Sequence, residues 1–326
     1  GWNGRLTLYR QSLRRSIGGQ LLTKSHCRLA WHGLFLMNYR LRLTSNEVRC
    51  PAPFTLILHE RKKIMSGLDF GIAGKKAIVC ASSKGLGFGC ANALAAVGVD
   101  LVMCARGADR LSESANQLRK KHGVKITEVA CDVTTEEGRA KILDAAGRVD
   151  ILVNNAGGPP PGDFRDWTRD TWIAALDANM LTAFALIQAV IEPMIDQKFG
   201  RIVNITSGSV KSPIPALGLS NGARAALTGF CGGLARQVAQ HNVTVNGLLP
   251  GQYNTDRIET IIANTAKTEN ISIAAARDML EKRNPTKRLG EIHEFGFACA
   301  WMCSEHSGYL TGQNILIDGG SFNSTF

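Results

Sequence analysis

The sequence predicts an α/β fold, a Rossmann-like doubly wound parallel sheet in a single domain. Three observations predict it. Short apolar runs recur at residues 77–80, 100–104, 125–131, 150–154, 201–206, 243–249 and 313–317, and helix-forming stretches separate them. Most of these runs lack polar alternation, as strands covered on both faces do. The first run opens a strand, glycine-rich turn, helix, strand unit over residues 76–106. No internal repeat or low-complexity linker divides the chain.

Within that unit Ala77-Ile78-Val79-Cys80 is the first strand and Ala81-Ser82-Ser83-Lys84-Gly85-Leu86-Gly87 the turn. Residues 88–97 are small and apolar enough to pack as a helix on a sheet, and residues 100–104 return as the second strand. Such a turn aims backbone N–H groups and a helix N-terminus at one point, which favours a phosphate. Gly85 and Gly87 let the backbone approach a pyrophosphate; the plainer alternative is a strand-to-helix turn with incidental glycines. Residues 111–121 read as a helix, 125–131 as a strand, 135–146 as a helix and 150–154 as the fourth strand. A Pro/Gly-rich loop, 157–162, leads to a long helix over 167–195, interrupted late by Pro193. Then come a strand at 201–206, a helix at 218–240 and a strand at 243–249 that stops at Pro250-Gly251. Residues 255–282 form a polar, helix-forming insertion. A helix at 291–303 precedes the last strand, 313–317. The domain boundary falls near residues 66–71.

The 326 residues are 44% hydrophobic and 20% charged, an ordinary composition for a globular chain with one large core. The net charge of +11 is not spread over that core. Residues 1–64 hold 12 Lys/Arg against two acids, Glu47 and Glu60, and the remaining residues hold 26 against 25. A basic nucleic-acid-binding surface is therefore not indicated on the folded part, and no membrane partner is expected. The extension lacks a sustained amphipathic period and a membrane-length apolar run. Its Arg-rich, acid-poor composition resembles an organelle transit peptide. The favoured reading is upstream sequence translated from a misplaced start, with Met65 as initiator, because Glu60-Arg61-Lys62-Lys63 can be encoded by a purine-rich stretch. None of the nine cysteines forms a C-x-x-C pair, and several lie inside apolar elements. A zinc site or disulfide framework is not expected, and the reducing cytoplasm fits best.

From these landmarks the chain resembles the short-chain dehydrogenase/reductase family over about residues 70–320. Ala81-x-x-x-Gly85-x-Gly87 looks like the family's glycine motif, with Ala81 where its first glycine stands and Ser83, Lys84 and Leu86 in the loop. Asn154-Asn155-Ala156-Gly157 matches the fourth-strand motif. Asp132, followed by Val133, looks like the adenine-contacting acid, and Asn179 stands where the family has its catalytic asparagine. Pro250-Gly251 with Thr255 resembles the loop beside the nicotinamide, and Gly312-Gln313 with Asp318-Gly319-Gly320 the carboxy-terminal strand. Plainer readings are available: Asp132 caps a helix, the asparagines satisfy local backbone, and Asn179 is a buried structural amide.

An NAD site offers an acid to the ribose diol at the end of the second strand. Here Met103-Cys104-Ala105-Arg106-Gly107 has none, while Arg106 and Lys84 converge as cations. That suits a 2′-phosphate, so the charge argument favours NADP(H) over NAD(H). The resemblance also implies a catalytic serine, present as Ser207, and 13 residues later a Tyr-x-x-x-Lys pair. The register instead carries Ser220 and Arg224, of which Arg224 could still hydrogen-bond the nicotinamide ribose and supply positive charge. A phenol near pKa ~10 beside an ammonium can exchange a proton; a serine alcohol is far less acidic, and a guanidinium stays protonated.

Three readings stay open. One is a working carbonyl reductase of the 3-oxoacyl-carrier-protein reductase type, drawing its proton from water, Tyr253 or Lys211. Another is an NADP-binding regulatory or scaffold protein with weak catalysis, and the third is a non-redox chemistry. The first is favoured, acting on a small-molecule or carrier-bound carbonyl. Substrate is expected between the 158–163 loop and the 255–282 insertion, a plausible lid. Arg257, Lys267, Arg277, Lys282 and Arg283 on that insertion read as solvated charges that could also greet an acidic carrier. The resemblance implies a homodimer or homotetramer through the helices at 167–195 and 218–240.

Overall fold

The computed structural model describes residues 69–325. The basic extension 1–64, both readings of it, and Met65 lie outside the described residues. Seven parallel strands form one sheet: β1 (Lys76–Val79), β2 (Asp100–Ala105), β3 (Ile126–Ala130), β4 (Ile151–Asn154), β5 (Gly200–Ile205), β6 (Val243–Pro250) and β7 (Asn314–Ile317). Their order is β3-β2-β1-β4-β5-β6-β7. The chain reverses direction across the sheet between β1 and β4, so the carboxyl ends of these two strands open a crevice.

The α-helices in chain order are α1 (Gly85–Ala96), α2 (Ala108–His122), α3 (Glu136–Ala146), α4 (Arg169–Leu176), α5 (Thr182–Asp196), α6 (Gly218–Val238), α7 (Asp256–Thr268), α8 (Ile273–Arg283) and α9 (Ile292–Met302). The apolar runs of the sequence become strands covered on both faces. Ala77 and Val79 point into a core shared with α1, α2 and α9, and Ile78 and Cys80 into one shared with α3, α5 and α6. Successive residues thus serve opposite layers, as the pleat requires. Helix α1 meets α9 backbone to backbone: a Cβ on Gly89 would lie 2.4 Å from the Ile292 oxygen, and one on Gly296 2.2 Å from the Gly89 oxygen. The seven cysteines among the described residues are free thiols, packed mostly as small core side chains.

Two expectations change in detail. The long helix at 167–195 contains a π turn, Asp177–Leu181, between α4 and α5. There the Asn179 Nδ2 donates to the Ala175 oxygen at 3.3 Å and the Thr182 hydroxyl to the Asp177 oxygen at 2.9 Å, absorbing the wider turn. Pro193 does not interrupt α5, which runs on to Asp196, because so near the end few backbone bonds remain to be lost. By length and composition the stretch Arg169–Asp196 could cross a membrane. Here its Leu186, Ile187, Val190 and Met194 are buried against the sheet. The insertion at 255–282 folds as α7 and α8 around a small core of its own, Ile258, Ile262, Ala266, Ala276 and Leu280 with Leu289.

Candidate cofactor site and active site

The turn between β1 and α1 is shaped for a pyrophosphate. Ala81 adopts φ +48° and Gly85 φ +56°. Alanine in this left-handed region costs about 1–2 kcal/mol, which explains why a glycine is the more economical residue there. Gly87 has no room for a side chain: a Cβ would lie 2.3 Å from the Ala81 oxygen and 2.9 Å from the Asn155 Nδ2. Its absence leaves the α1 N-terminus close to the strand ends, with open N–H groups facing the crevice. Ser83 is pinned from behind by the Ser114 hydroxyl, which donates to its carbonyl at 2.8 Å. Leu86 packs against the core on the α1 side. Across the crevice the Thr255 Cγ2 stands 3.6 Å from the position a Gly85 Cβ would take. The residues present fit a dinucleotide phosphate.

At the adenosine end, the Thr134 N–H and hydroxyl donate to the Asp132 carboxylate at 3.0 and 2.8 Å. These bonds hold that carboxyl below its usual value, with the Arg106 charge adding to the effect. Asp132 is therefore ionised and fixed, and the cap of α3 is the neighbouring Thr135. Arg106 is exposed at the end of β2. Lys84 corrects the sequence reading. It does not wait beside Arg106 but donates to Asp256 at 2.7 Å, and Arg110 approaches the same carboxylate at 3.5 Å. An acid in the first turn of α7 has taken up its charge. With 52% and 57% of the two side chains exposed, the Lys84–Asp256 pair contributes about 0.5 kcal/mol. It links α7 weakly to the glycine turn.

The catalytic register sits at the ends of β4 and β5. The Asn154 Nδ2 donates to the Asn204 Oδ1 at 2.9 Å, tying the two strands together. Arg224, buried on α6, donates from Nε to the Ser220 hydroxyl at 3.2 Å and from Nη1 to the carbonyls of Ile205 and Thr206. Its Nη2 donates to the Ala156 oxygen at 3.3 Å. The guanidinium therefore clamps the strand end just before Ser207 to the Asn155-Ala156-Gly157 loop. Burial, and next the Arg257 charge, push it down to about 10, so it stays a cation near neutral pH. Ser207 accepts from the Ser209 N–H at 3.1 Å, which leaves its own hydrogen to donate. A polar cavity lined by Val133, Asn154, Asn155, Asn179, Thr182 and Arg224 lies behind this group and is roomy enough for water.

Tyr253 is a second correction. Its ring packs edge-on against Phe295 and its hydroxyl donates to the Ile317 oxygen at 3.1 Å. Burial pushes the phenol up, away from working pH. Tyr253 belongs to the packing beneath β7, with its hydroxyl hydrogen committed to the Ile317 oxygen, and is not placed to act as the proton donor. Lys211 is exposed, its ammonium above the Phe322 ring. Pro250 ends β6, and Gly251 passes so close to Asp318 that a Cβ would lie 2.5 Å from that residue's Cβ. The sequence reading did not single out Asp256 or Arg110. No local pattern marks them, since each matters through a partner far away in sequence.

The chain is similar to known proteins over this same region. The sequence profile described as enoyl-(acyl carrier protein) reductase matches residues 80–321. The gluconate 5-dehydrogenase of Gluconobacter oxydans is 31% identical over 255 residues, covering 77% of this chain and 96% of that protein. The acetoacetyl-CoA reductase of Cupriavidus necator is 37% identical over 192 residues, 57% of this chain and 72% of that protein. The crystal structure of L-sorbose reductase from Gluconobacter frateurii, complexed with NADPH and L-sorbose, superposes with a TM-score of 0.75 at 29% identity. It covers 79% of this chain and all of that one.

Proposed function

The chain belongs to the short-chain dehydrogenase/reductase family, and we propose that it is an NADP(H)-dependent oxidoreductase reducing a carbonyl to an alcohol. One observation carries the reading: a phosphate cradle at Ala81, Gly85 and Gly87 opens beside an exposed cation, Arg106, where an NAD site would offer an acid. The L-sorbose reductase similar to this chain holds NADPH, and other similar proteins act on gluconate and acetoacetyl-CoA. A small ketone or a 3-oxoacyl thioester is the substrate class proposed here.

When bound, the nicotinamide supplies or accepts the hydride. Asp132 would hold the adenine, with Val133 beside it, and Asn155, Ala156 and Gly157 leave room for the ribose. Pro250, Gly251 and Thr255 line the nicotinamide end. Ser207 donates its hydroxyl hydrogen to the carbonyl oxygen, and Arg224 fixes the strand end that carries Ser207. Ser220, whose hydroxyl accepts from the Arg224 Nε, has its hydrogen free to pass to the oxygen. A serine alcohol is a poor acid, so the proton step limits turnover. With Tyr253 buried elsewhere, this route replaces the family's phenol.

Titration with both dinucleotides should show tighter NADPH binding, and Arg106→Asp should reverse the preference by about tenfold or more. Equal or better NADH affinity in the wild type would show the charge argument wrong. A turnover screen with NADPH against β-keto thioesters, small ketones and quinones then identifies the substrate.

Assembly belongs to the same proposal. Ile173 and Leu181 are 49% and 45% exposed on the α4–α5 flank, an apolar surface that a second copy would cover. Sedimentation should give a dimer or tetramer, whereas a monomer at micromolar concentration would contradict it. The free thiols fit the cytoplasm.

A further inference from the structure

Arg224 and Arg257 both bring a guanidinium close to Gly158. The Arg257 Nη1 lies 3.1 Å, and the Arg224 Nη2 3.5 Å, from the point where a Cβ on Gly158 would stand. A guanidinium has five N–H donors. Arg224 places one on Ser220, two on the Ile205 and Thr206 carbonyls and one on Ala156, so one hydrogen on Nη2 remains. Nη2 is the atom facing Gly158.

Arg257, in the first turn of α7, makes no hydrogen bond or pair with an acid among the described residues. Several other cations around the insertion have acid partners, Arg277 with Glu259 and Glu281, Lys282 with Asp278, Arg288 with Glu294 and Lys84 with Asp256, whereas Lys267 and Arg283, like Arg257, pair with no acid among the described residues. Two like charges therefore face each other, one of them buried, and no carboxylate of the chain lies between them. Burial first, and the Arg257 charge second, lower the affinity of Arg224 for its proton. Placing two cations together costs free energy unless something anionic joins them.

We infer that these two guanidinium groups together bind the carboxylate of the substrate, one oxygen on the Arg224 Nη2 and the other on Arg257, so that the protein acts on keto acids or hydroxy acids. The inference rests on the oxidoreductase reading for which molecule carries the carboxylate. Its geometry suits that choice. Gly158 directly follows the Asn155-Ala156-Gly157 loop, and Arg224 clamps the strand end beside Ser207, so the anion would stand next to the reacting carbonyl. Arg257 sits on the lid, so binding the anion would draw α7 down over the substrate, coupling recognition to closure.

The test measures binding in protein saturated with NADPH, by calorimetry, so that no turnover is needed. The probes are matched pairs: acetate with acetamide, 4-oxopentanoate with 4-oxopentanamide, and 5-keto-D-gluconate with L-sorbose. In the last pair a carboxylate replaces a CH2OH on the same chain. Each acid should bind at least about tenfold tighter than its neutral mate, as expected for charge-assisted bonds to arginine. Arg257→Gln should bring the ratio close to one while leaving the neutral mate unchanged; Arg257 is exposed, so folding is not at risk.

Equal binding within the wild-type pairs would overturn the inference. So would an Arg257→Gln variant that weakens both members alike. If Arg257→Gln weakens NADPH tenfold but preserves the acid preference, the anion is the cofactor's phosphate and the inference fails. Acid-selective binding with no reduction of any carbonyl would keep the site and overturn the reductase reading instead.

Discussion

Gly87→Ala is expected to raise the dissociation constant for NADPH by about a hundredfold or more and to lower the melting temperature by several degrees. The added Cβ would lie 2.3 Å from the Ala81 oxygen and 2.9 Å from that residue's carbonyl carbon, both backbone atoms. Relief needs either the strand-to-helix turn or α1 to move. The turn has no slack, because Ala81 and Gly85 already occupy the left-handed region at +48° and +56°. Helix α1 cannot retreat either, since Gly89 and Gly296 already press it against α9 at backbone contact. Overpacking with no route of relaxation costs about 1–3 kcal/mol or more, and it falls on the atoms that cradle the phosphates. Gly107→Ala is the control: nothing lies within 4 Å of its Cβ position, and its φ is −89°. Dinucleotide binding and melting close to wild type in Gly87→Ala would show that the turn is not the cradle.

The fold was legible because its signals are local. Residues 77–80, 100–104 and 150–154 read as buried strands from composition alone, and β1, β2 and β4 fall there within a residue or two. The glycine turn and the Asn154-Asn155 pair were legible for a similar reason, since backbone geometry limits which residues fit. The electrostatics of the site were not. Lys84 was read as free for a phosphate, yet its partner Asp256 lies 172 residues away, and no periodicity reports such a pairing. Tyr253 was placed by its distance from Pro250-Gly251, which gives a location but no side-chain direction. Its backbone bridges to Gly290, where a Cβ would sit 2.6 Å from the tyrosine ring, and this pairing turns the phenol toward β7. The meeting of Arg224 and Arg257 over Gly158 required the lid to be folded before it could be seen.

Arg224→Met should cost about 2–5 kcal/mol in chemical denaturation, because several carbonyls and a hydroxyl lose their shared donor inside the protein. Arg224→Lys is the more informative change. An ammonium is a compact charge with three donors and cannot reproduce a planar fork reaching the Ser220 hydroxyl and the three carbonyls at once. Turnover in that single variant should fall at least tenfold, as the strand end before Ser207 loses its clamp. Adding Ser220→Tyr alters the balance. A phenol beside an ammonium can exchange a proton near neutral pH, which the native pair cannot. The double variant is therefore expected to reduce the substrate found by the screen faster than wild type, and the two substitutions to be strongly non-additive because Ser220 and Arg224 are in contact. A double variant that folds stably, binds NADPH and yet turns over more slowly than wild type would mean that proton transfer through Ser220 is not the slow step of the native site. The serine and arginine would then be the working pair of this site, and the missing phenol no deficit at all.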